Sequence, residues 1–177
     1  MNVNFLKNIS IGLGVKIGRM KKIKQVIILR NDIGMTSGKM CAQAAHASIA
    51  VILNRMNSFR FFAFANFTKQ MLFWMKYSFT KVVVTCDSEE ELIKYHKLAK
   101  SEKIPTSLIF ETEYKKPCKV CRGSKNLIVG FDKVPITEPC YACDGKGYEI
   151  TSLFTAAAIG PDYSDEIDKI TKELRLL

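Results

Sequence analysis

Acidic residues are almost missing from the first half of this chain. Residues 1–81 hold a single one, Asp32, against 13 lysines and arginines. No stretch approaches the ~20 uninterrupted apolar residues of a membrane-spanning helix. Ten glycines and five prolines in 177 residues exclude a collagen-like chain. Six cysteines are too sparse for a disulfide-stapled miniprotein. What is present, 47% hydrophobic and 25% charged residues, is the composition of a folded globular chain rather than a disordered one. A chain of this size buries about two thirds of its unfolded surface. One domain, or one domain carrying a small module, is expected.

The charge is unevenly placed. The chain has 27 basic and 17 acidic residues, formally +10. Residues 1–81 contribute +12, whereas residues 82–177, with 14 basic and 16 acidic, contribute −2. A field of that sign attracts a polyanion, most simply nucleic acid. The alternative is a solvated basic surface. Residues 1–24 hold six basic residues and no acid. Segment 1–23 therefore reads as a disordered basic arm, a targeting peptide or a membrane-surface peptide. Ile9 to Val15 is too short, and lacks the small-residue cleavage site, for a secretory signal. The expected location is the cytoplasm, with organellar targeting by residues 1–20 as the alternative.

Val26-Ile-Ile-Leu29 is a continuous apolar run, as in a strand buried on both faces. A helix follows from about Ser37 to Met56, with Thr36 or Ser37 to cap it. Its alanines suit helix propensity and close approach to a sheet. Phe64, Phe67, Met71 and Trp74 step at helical spacing, and predict a core stripe within Phe61–Tyr77. Val82 to Val84 reads as a second strand. Asp87 with Glu90, or Ser88 with Glu91, opens a helix by capping-box chemistry. A third strand runs from Thr106 to Phe110 behind Pro105. A fourth runs from Phe154 to Ile159, stopped by Gly160-Pro161. Ser164 caps a last helix whose Ile167, Ile170 and Leu174 face the core. Strands alternating with helices predict a three-layer α/β sandwich with a small mixed four-stranded sheet. The domain comprises residues 24–114 and 149–177.

Between the third and fourth strands, residues 115–148 have a different composition, read as an inserted module. Cys118-x-x-Cys121 and Cys140-x-x-Cys143 are separated by 18 residues. Each pair grips a metal in a tight turn, and together they supply four thiolates at a tetrahedral site. That favours zinc and leaves no open coordination position, so the expected role is structural; an iron–sulfur cluster is the lesser alternative. Gly123, Gly145 and Gly147 follow the pairs, where amides curl toward sulfur. Cys140-Tyr-Ala-Cys-Asp-Gly-Lys-Gly147 resembles the Cys-x-x-Cys-x-Gly-x-Gly repeat of DnaJ-type chaperones. The first pair departs from it at Lys125. Two copies stand where that family has four, so chaperone activity does not carry over. Lys115, Lys116, Lys119, Arg122 and Lys125 surround the first pair. They can contact phosphate or balance the negative four-thiolate zinc centre. Cys41 and Cys86 read as ordinary small core residues.

Lys39, Gln43 and His46 lie at i, i+4 and i+7, on one stripe of the first helix. Asp32 lies at the end of the first strand, where α/β sheets usually bind ligands. The run Gln25-Val-Ile-Ile-Leu-Arg-Asn-Asp-Ile-Gly-Met-Thr-Ser-Gly-Lys-Met-Cys-Ala-Gln-Ala-Ala-His-Ala47 resembles the signature of the type II peptidyl-tRNA hydrolase family. In that family a strand ends Arg-x-Asp-Leu and is followed by Gly-Lys-x-x-x-Gln-x-x-His-Ala. Thr155-Ala-Ala-Ala-Ile-Gly-Pro161 and the terminal helix fit as well. The resemblance covers residues 24–111 and 150–177 and is weak over Asn57–Tyr77.

The resemblance implies an esterase that releases peptide from the 3′ ribose of tRNA. Lys39 would hold phosphate or assist the leaving hydroxyl. Gln43 and His46 would orient substrate or water, and Thr155 would line the site with Asp32. The family follows its third strand with Asp-Ala-Gly-x-Thr; this chain has Glu111-Thr-Glu-Tyr-Lys115. Glu111 would replace the aspartate, while the glycine and threonine are lost. The implied partner is peptidyl-tRNA, with a homodimer left open. The alternative reading is a catalytically impaired RNA- or protein-binding module on the same fold.

Overall fold

A computed structural model of the chain describes residues 21–59, 62–132 and 134–177. The basic segment 1–20, and the roles suggested for it, lie outside the described residues.

The apolar run forms strand β1 (Ile23–Arg30). Ile27 and Leu29 face one side of the sheet and Val26 and Ile28 the other, so the strand is buried twice over. Helix α1 (Ser37–Leu53) starts where Thr36 Oγ1 accepts the Lys39 N–H at 3.4 Å. It ends three residues short of Met56, because Met56 begins a hairpin. That hairpin, β2 (Met56–Phe59) and β3 (Phe62–Ala65), corrects the expected helical stripe: Phe64 belongs to a strand. Aromatic residues fit a pleated surface readily. Helical geometry begins only after Thr68, which accepts the Met71 N–H at 3.2 Å. Helix α2 (Lys69–Phe73) then widens into a π-turn over Trp74–Ser78, and Met71 and Trp74 are fully buried on its inner side.

Strand β4 (Lys81–Cys86) lies parallel to β1. Helix α3 (Glu89–Ser101) is capped by Ser88, which accepts the Glu91 N–H, while the Glu91 carboxylate accepts from Asp87 N–H. Strand β5 (Thr106–Pro117) does not stop at Phe110, and strand β8 (Tyr148–Tyr163) starts well before Phe154. The two pair antiparallel from Thr106–Ile159 out to Pro117–Tyr148, so each extension satisfies the backbone of the other. Strands β6 (Asn126–Asp132) and β7 (Val134–Pro139) form a hairpin beyond that ribbon.

Gly160-Pro161 does not end β8 either. The strand passes through a register shift and pairs again at Asp162–Lys24 and Tyr163–Ile23. The glycine is required there: φ is +90°, and a Cβ would lie 2.7 Å from the Lys24 carbonyl oxygen and 2.6 Å from Ile167 Cδ1. Helix α4 (Ser164–Thr171) is not capped by Ser164, which is its first residue; the Ser164 N–H is taken by the Lys22 carbonyl instead. Ile167 is fully buried, and Ile170 and Leu174 pack against the same core. A two-residue strand, β9 (Arg175–Leu176), adds to the edge of β4.

The sheet order is β5-β8-β1-β4-β9. It is mixed, with α1 and α2 on one face and α3 and α4 on the other. The four expected strands form its body, and β9 extends it. A buried polar pair pins α1 to the sheet. Ser48 Oγ donates to Gln25 Oε1 at 2.6 Å, and Gln25 Nε2 donates to the Ser48 carbonyl.

Candidate functional site

Two irregularities in the β5–β8 ribbon build a polar cluster over α1. Ile109 pairs with Ala156 but Phe110 pairs with Phe154, so Thr155 is an extra residue in β8. Glu111 pairs with Leu153 and Tyr114 with Thr151, so β5 carries one extra residue between them. A bulge changes the alternation of side chains. In a regular strand, residues three apart point to opposite faces. The bulge instead lets both Glu111 and Tyr114 turn toward Lys39.

The contacts form one chain. Thr155 Oγ1 donates to Gln43 Oε1 at 2.7 Å. Gln43 Nε2 donates to Glu111 Oε2 at 2.7 Å. Lys39 Nζ meets the other carboxylate oxygen, Oε1, also at 2.7 Å. The carboxylate only accepts, which fixes the Gln43 amide nitrogen toward Glu111 and its oxygen toward Thr155. The Lys39 ammonium also lies 3.9 Å from the centre of the Tyr114 ring, an attractive cation–π arrangement. Tyr114 is buried and donates its hydroxyl to the Ile33 carbonyl at 2.9 Å. Burial, and then the Glu111 charge, raise its phenol above the ordinary value. Gln43 and Thr155 are buried, while the Lys39 and Glu111 side chains stay 31% and 25% exposed. A buried base thus supports a charged tip open to a ligand.

The structure brings together Lys39, Gln43, Glu111 and Thr155. It places the other two candidates elsewhere. His46 is exposed and has no hydrogen bond to this cluster. Asp32 is clamped by Arg30 through two hydrogen bonds, of 2.9 and 2.5 Å. The hydrogen bond from Arg30 holds the Asp32 carboxyl below its usual range. Buried Arg30 also reaches Glu89 at 2.6 Å and the Phe154 carbonyl at 3.0 Å, and so fixes the backbone next to Thr155. The sequence reading missed Tyr114, whose position depends on the bulge, and the anchoring role of Arg30.

At the far end of the ribbon the four cysteines Cys118, Cys121, Cys140 and Cys143 are buried, and their sulfurs lie within 4.8 Å of one another. Cys118–Cys140 and Cys121–Cys143 are 3.8 and 3.7 Å apart. A tetrahedron of metal–sulfur bonds near 2.3 Å has sulfur–sulfur edges of about 3.8 Å, so the donor set fits one metal ion. The Gly147 N–H donates to Cys143 Sγ at 3.2 Å. Burial pushes the Cys121 thiol up, but N–H groups of Gly123 and Lys125 and the neighbouring thiols outweigh it and bring it down to about 7. The thiolate is favoured at Cys121, while the Cys118 and Cys143 thiols are shifted upward, so a bound metal would itself have to draw those protons off. Of the other two cysteines, Cys86 is buried, which pushes its thiol up to about 12. Cys41 is exposed on α1, contrary to the core role expected for it, because α1 turns that side away from the sheet.

Fold and site together define a three-layer α/β protein with a Lys–Glu–Gln–Thr cluster where α1 covers the β5–β8 ribbon, and four buried cysteines placed so that they could hold a metal ion. The profile of the family described as "Peptidyl-tRNA hydrolase PTH2" matches residues 23–125. A peptidyl-tRNA hydrolase of Methanocaldococcus jannaschii is 32% identical over 88% of this chain and 100% of its own length. That of Staphylothermus marinus is 30% identical over 90% and 98%, and that of Methanococcus vannielii 29% over 87% and 98%. The chain belongs to the type II peptidyl-tRNA hydrolase family. No helix among the described residues is long and apolar enough to cross a membrane.

Proposed function

We propose that this protein hydrolyses the ester bond of peptidyl-tRNA, releasing peptide and tRNA, at the Lys39–Glu111–Gln43–Thr155 cluster. The observation that carries the assignment of residues is the chain of three 2.7 Å contacts ending in a partly exposed ion pair. Water attacks the ester carbonyl, and Glu111 accepts its proton. The Lys39 ammonium stabilises the oxyanion that develops. The carbon–oxygen bond to the ribose then breaks, and the proton passes to the 3′ oxygen. Gln43 and Thr155 set the angle of the carboxylate. Asp32 holds Arg30 in place, and exposed His46 contacts the substrate rather than the reacting bond.

In the same reading, residues 24–114 and 149–177 are the hydrolase domain and 115–148 an inserted module. Its four thiolates hold zinc, in a structural role, since a tetrahedral four-cysteine set leaves no coordination position for substrate. The basic first half meets the tRNA, and the protein works in the cytoplasm, where thiols stay reduced.

A second reading, a catalytically impaired RNA-binding module, is favoured by one feature: both Glu111 oxygens are already engaged, by Lys39 and Gln43. Hydrolysis of a defined peptidyl-tRNA by native and Lys39→Ala protein separates the two. Turnover by the native protein, lost in the variant, supports the esterase; no turnover by the native protein supports the binding module.

A further inference from the structure

The cations of the cysteine module are not shared equally between its two metal-binding turns. The turns are built alike: Arg122 (φ 49°) and Asp144 (φ 49°) hold the same left-handed position, one residue after Cys121 and Cys143 respectively. Chemically they are opposites. The first turn and its approach carry Lys115, Lys116, Lys119, Arg122 and Lys125 with no acid in the segment; one carboxylate from β8, Glu149, accepts from the Lys119 N–H at 3.3 Å. The matching stretch of the second carries Glu138, Asp144 and Lys146, a net −1, and Asp144 and Lys146 pair with each other at 3.8 Å. Charge balance for the metal does not account for the difference, because four thiolates around a divalent ion carry about −2 and both turns contribute two of them. Lys119, Arg122 and Lys125 are exposed, and none has an ion-pair partner among the described residues.

The first turn is also tied to the proposed site. It continues β5 from Glu111, seven residues before Cys118, a distance of roughly 23 Å at about 3.3 Å per residue. Along the axis of a duplex each strand presents a phosphate about every 3.4 Å, and an unstacked strand spaces them more widely, so a strand running from the site along β5 would still bring several phosphates to the first turn. We infer that the first metal turn is a phosphate-contacting arm, with Lys119, Arg122 and Lys125 gripping the backbone of the tRNA whose ester lies at Glu111. The second turn, net −1 over the matching stretch, is the counterpart that does not grip phosphate. The metal's part is to hold three cations at the end of a two-stranded ribbon that has no other core around it. This inference rests on the tRNA esterase reading.

The test is the salt dependence of tRNA binding by the full-length, metal-loaded protein, using deacylated tRNA. The triple variant Lys119→Gln, Arg122→Asn, Lys125→Asn removes three charges; asparagine suits the left-handed positions. Each lost phosphate contact should flatten the slope of log affinity against log salt by about 0.7–0.9. The expected change is therefore about 2–3, with metal content retained at one equivalent. Lys146→Gln, in the second turn, should leave the slope at the native value. A native slope in the triple variant overturns the inference. So does an equal flattening per charge in Lys146→Gln, which would mean a diffuse field rather than contact. A protein partner reading the exposed Ile128, Val129 and Ile136 of the β6–β7 hairpin would give the first of these results. Failure of the esterase reading is distinct, because it shows as native protein that does not hydrolyse peptidyl-tRNA whatever the slopes are.

Discussion

Replacing Glu111 by glutamine should separate catalysis from stability at the proposed site. The carboxylate accepts from Lys39 on one oxygen and from Gln43 on the other, each at 2.7 Å. Glu111→Gln turns one of those oxygens into an NH2 group, so one neighbour meets a donor instead of an acceptor. A hydrogen bond to a charged group contributes about 1.5–3 kcal/mol. Water reaches this pair, with side chains 31% and 25% exposed, and screening brings the expected loss to roughly 1–2 kcal/mol. In a chain of 177 residues that lowers Tm by roughly 2–8 °C. Loss of a proton acceptor in the transition state costs about 100- to 10,000-fold in rate, or ~3–5 kcal/mol of barrier. The effect on rate should therefore exceed the effect on folding. Single-turnover release of peptide from peptidyl-tRNA gives the first quantity, and thermal melting gives the second. Glu111→Asp keeps the charge but withdraws it by ~1.5 Å, and should fall between the two at a loss of roughly 100-fold. A fully folded Glu111→Gln protein within threefold of native turnover would refute the reasoning and remove Glu111 from the chemistry.

Thr155→Val keeps the shape and leaves the buried Gln43 oxygen without its donor, which should cost about 1–3 kcal/mol; an unchanged melting temperature would contradict the contact chain. Purified protein should contain one equivalent of zinc by elemental analysis, lost in Cys140→Ser, and chelation should speed hydrogen exchange in residues 115–148 before the sheet. Gly160→Ala places a methyl against the Lys24 carbonyl at a φ of +90°, so it should destabilise by about 3 kcal/mol or more; a melt within a degree of native would show that β8 yields there. The Asp32 carboxyl is held below its usual range by Arg30. Its contribution should be full above the ordinary value of ~3.9 and fade as pH falls through the lower folded value, so Asp32→Asn should flatten the acid limb of a stability–pH profile.

The sequence alone determined the parts whose causes are local. The apolar run of β1, the Thr36 cap, the Ser88–Glu91 exchange at α3 and the paired cysteines each depend on neighbours a few residues away. Family likeness named Lys39, Gln43, Glu111 and Thr155, but no local rule says that they touch. Those contacts span 68 to 112 residues of chain, and they depend on one extra residue in β5 and another in β8. A bulge leaves no period to read, because it breaks the alternation by which strand faces are assigned. The same limit hides Tyr114 from a sequence pattern and makes Gly160-Pro161 read as a stop: the register shift that lets β8 continue is set by pairing with Lys24, not by the dipeptide. Phe64 departs from the expected stripe for a related reason, since a run of aromatics fits either a helix face or a pleated hairpin until the partner strand is known, whereas Phe67, Met71 and Trp74 join the core. Local chemistry made the elements of this protein, and the pairing of distant strands decided which side chains face one another.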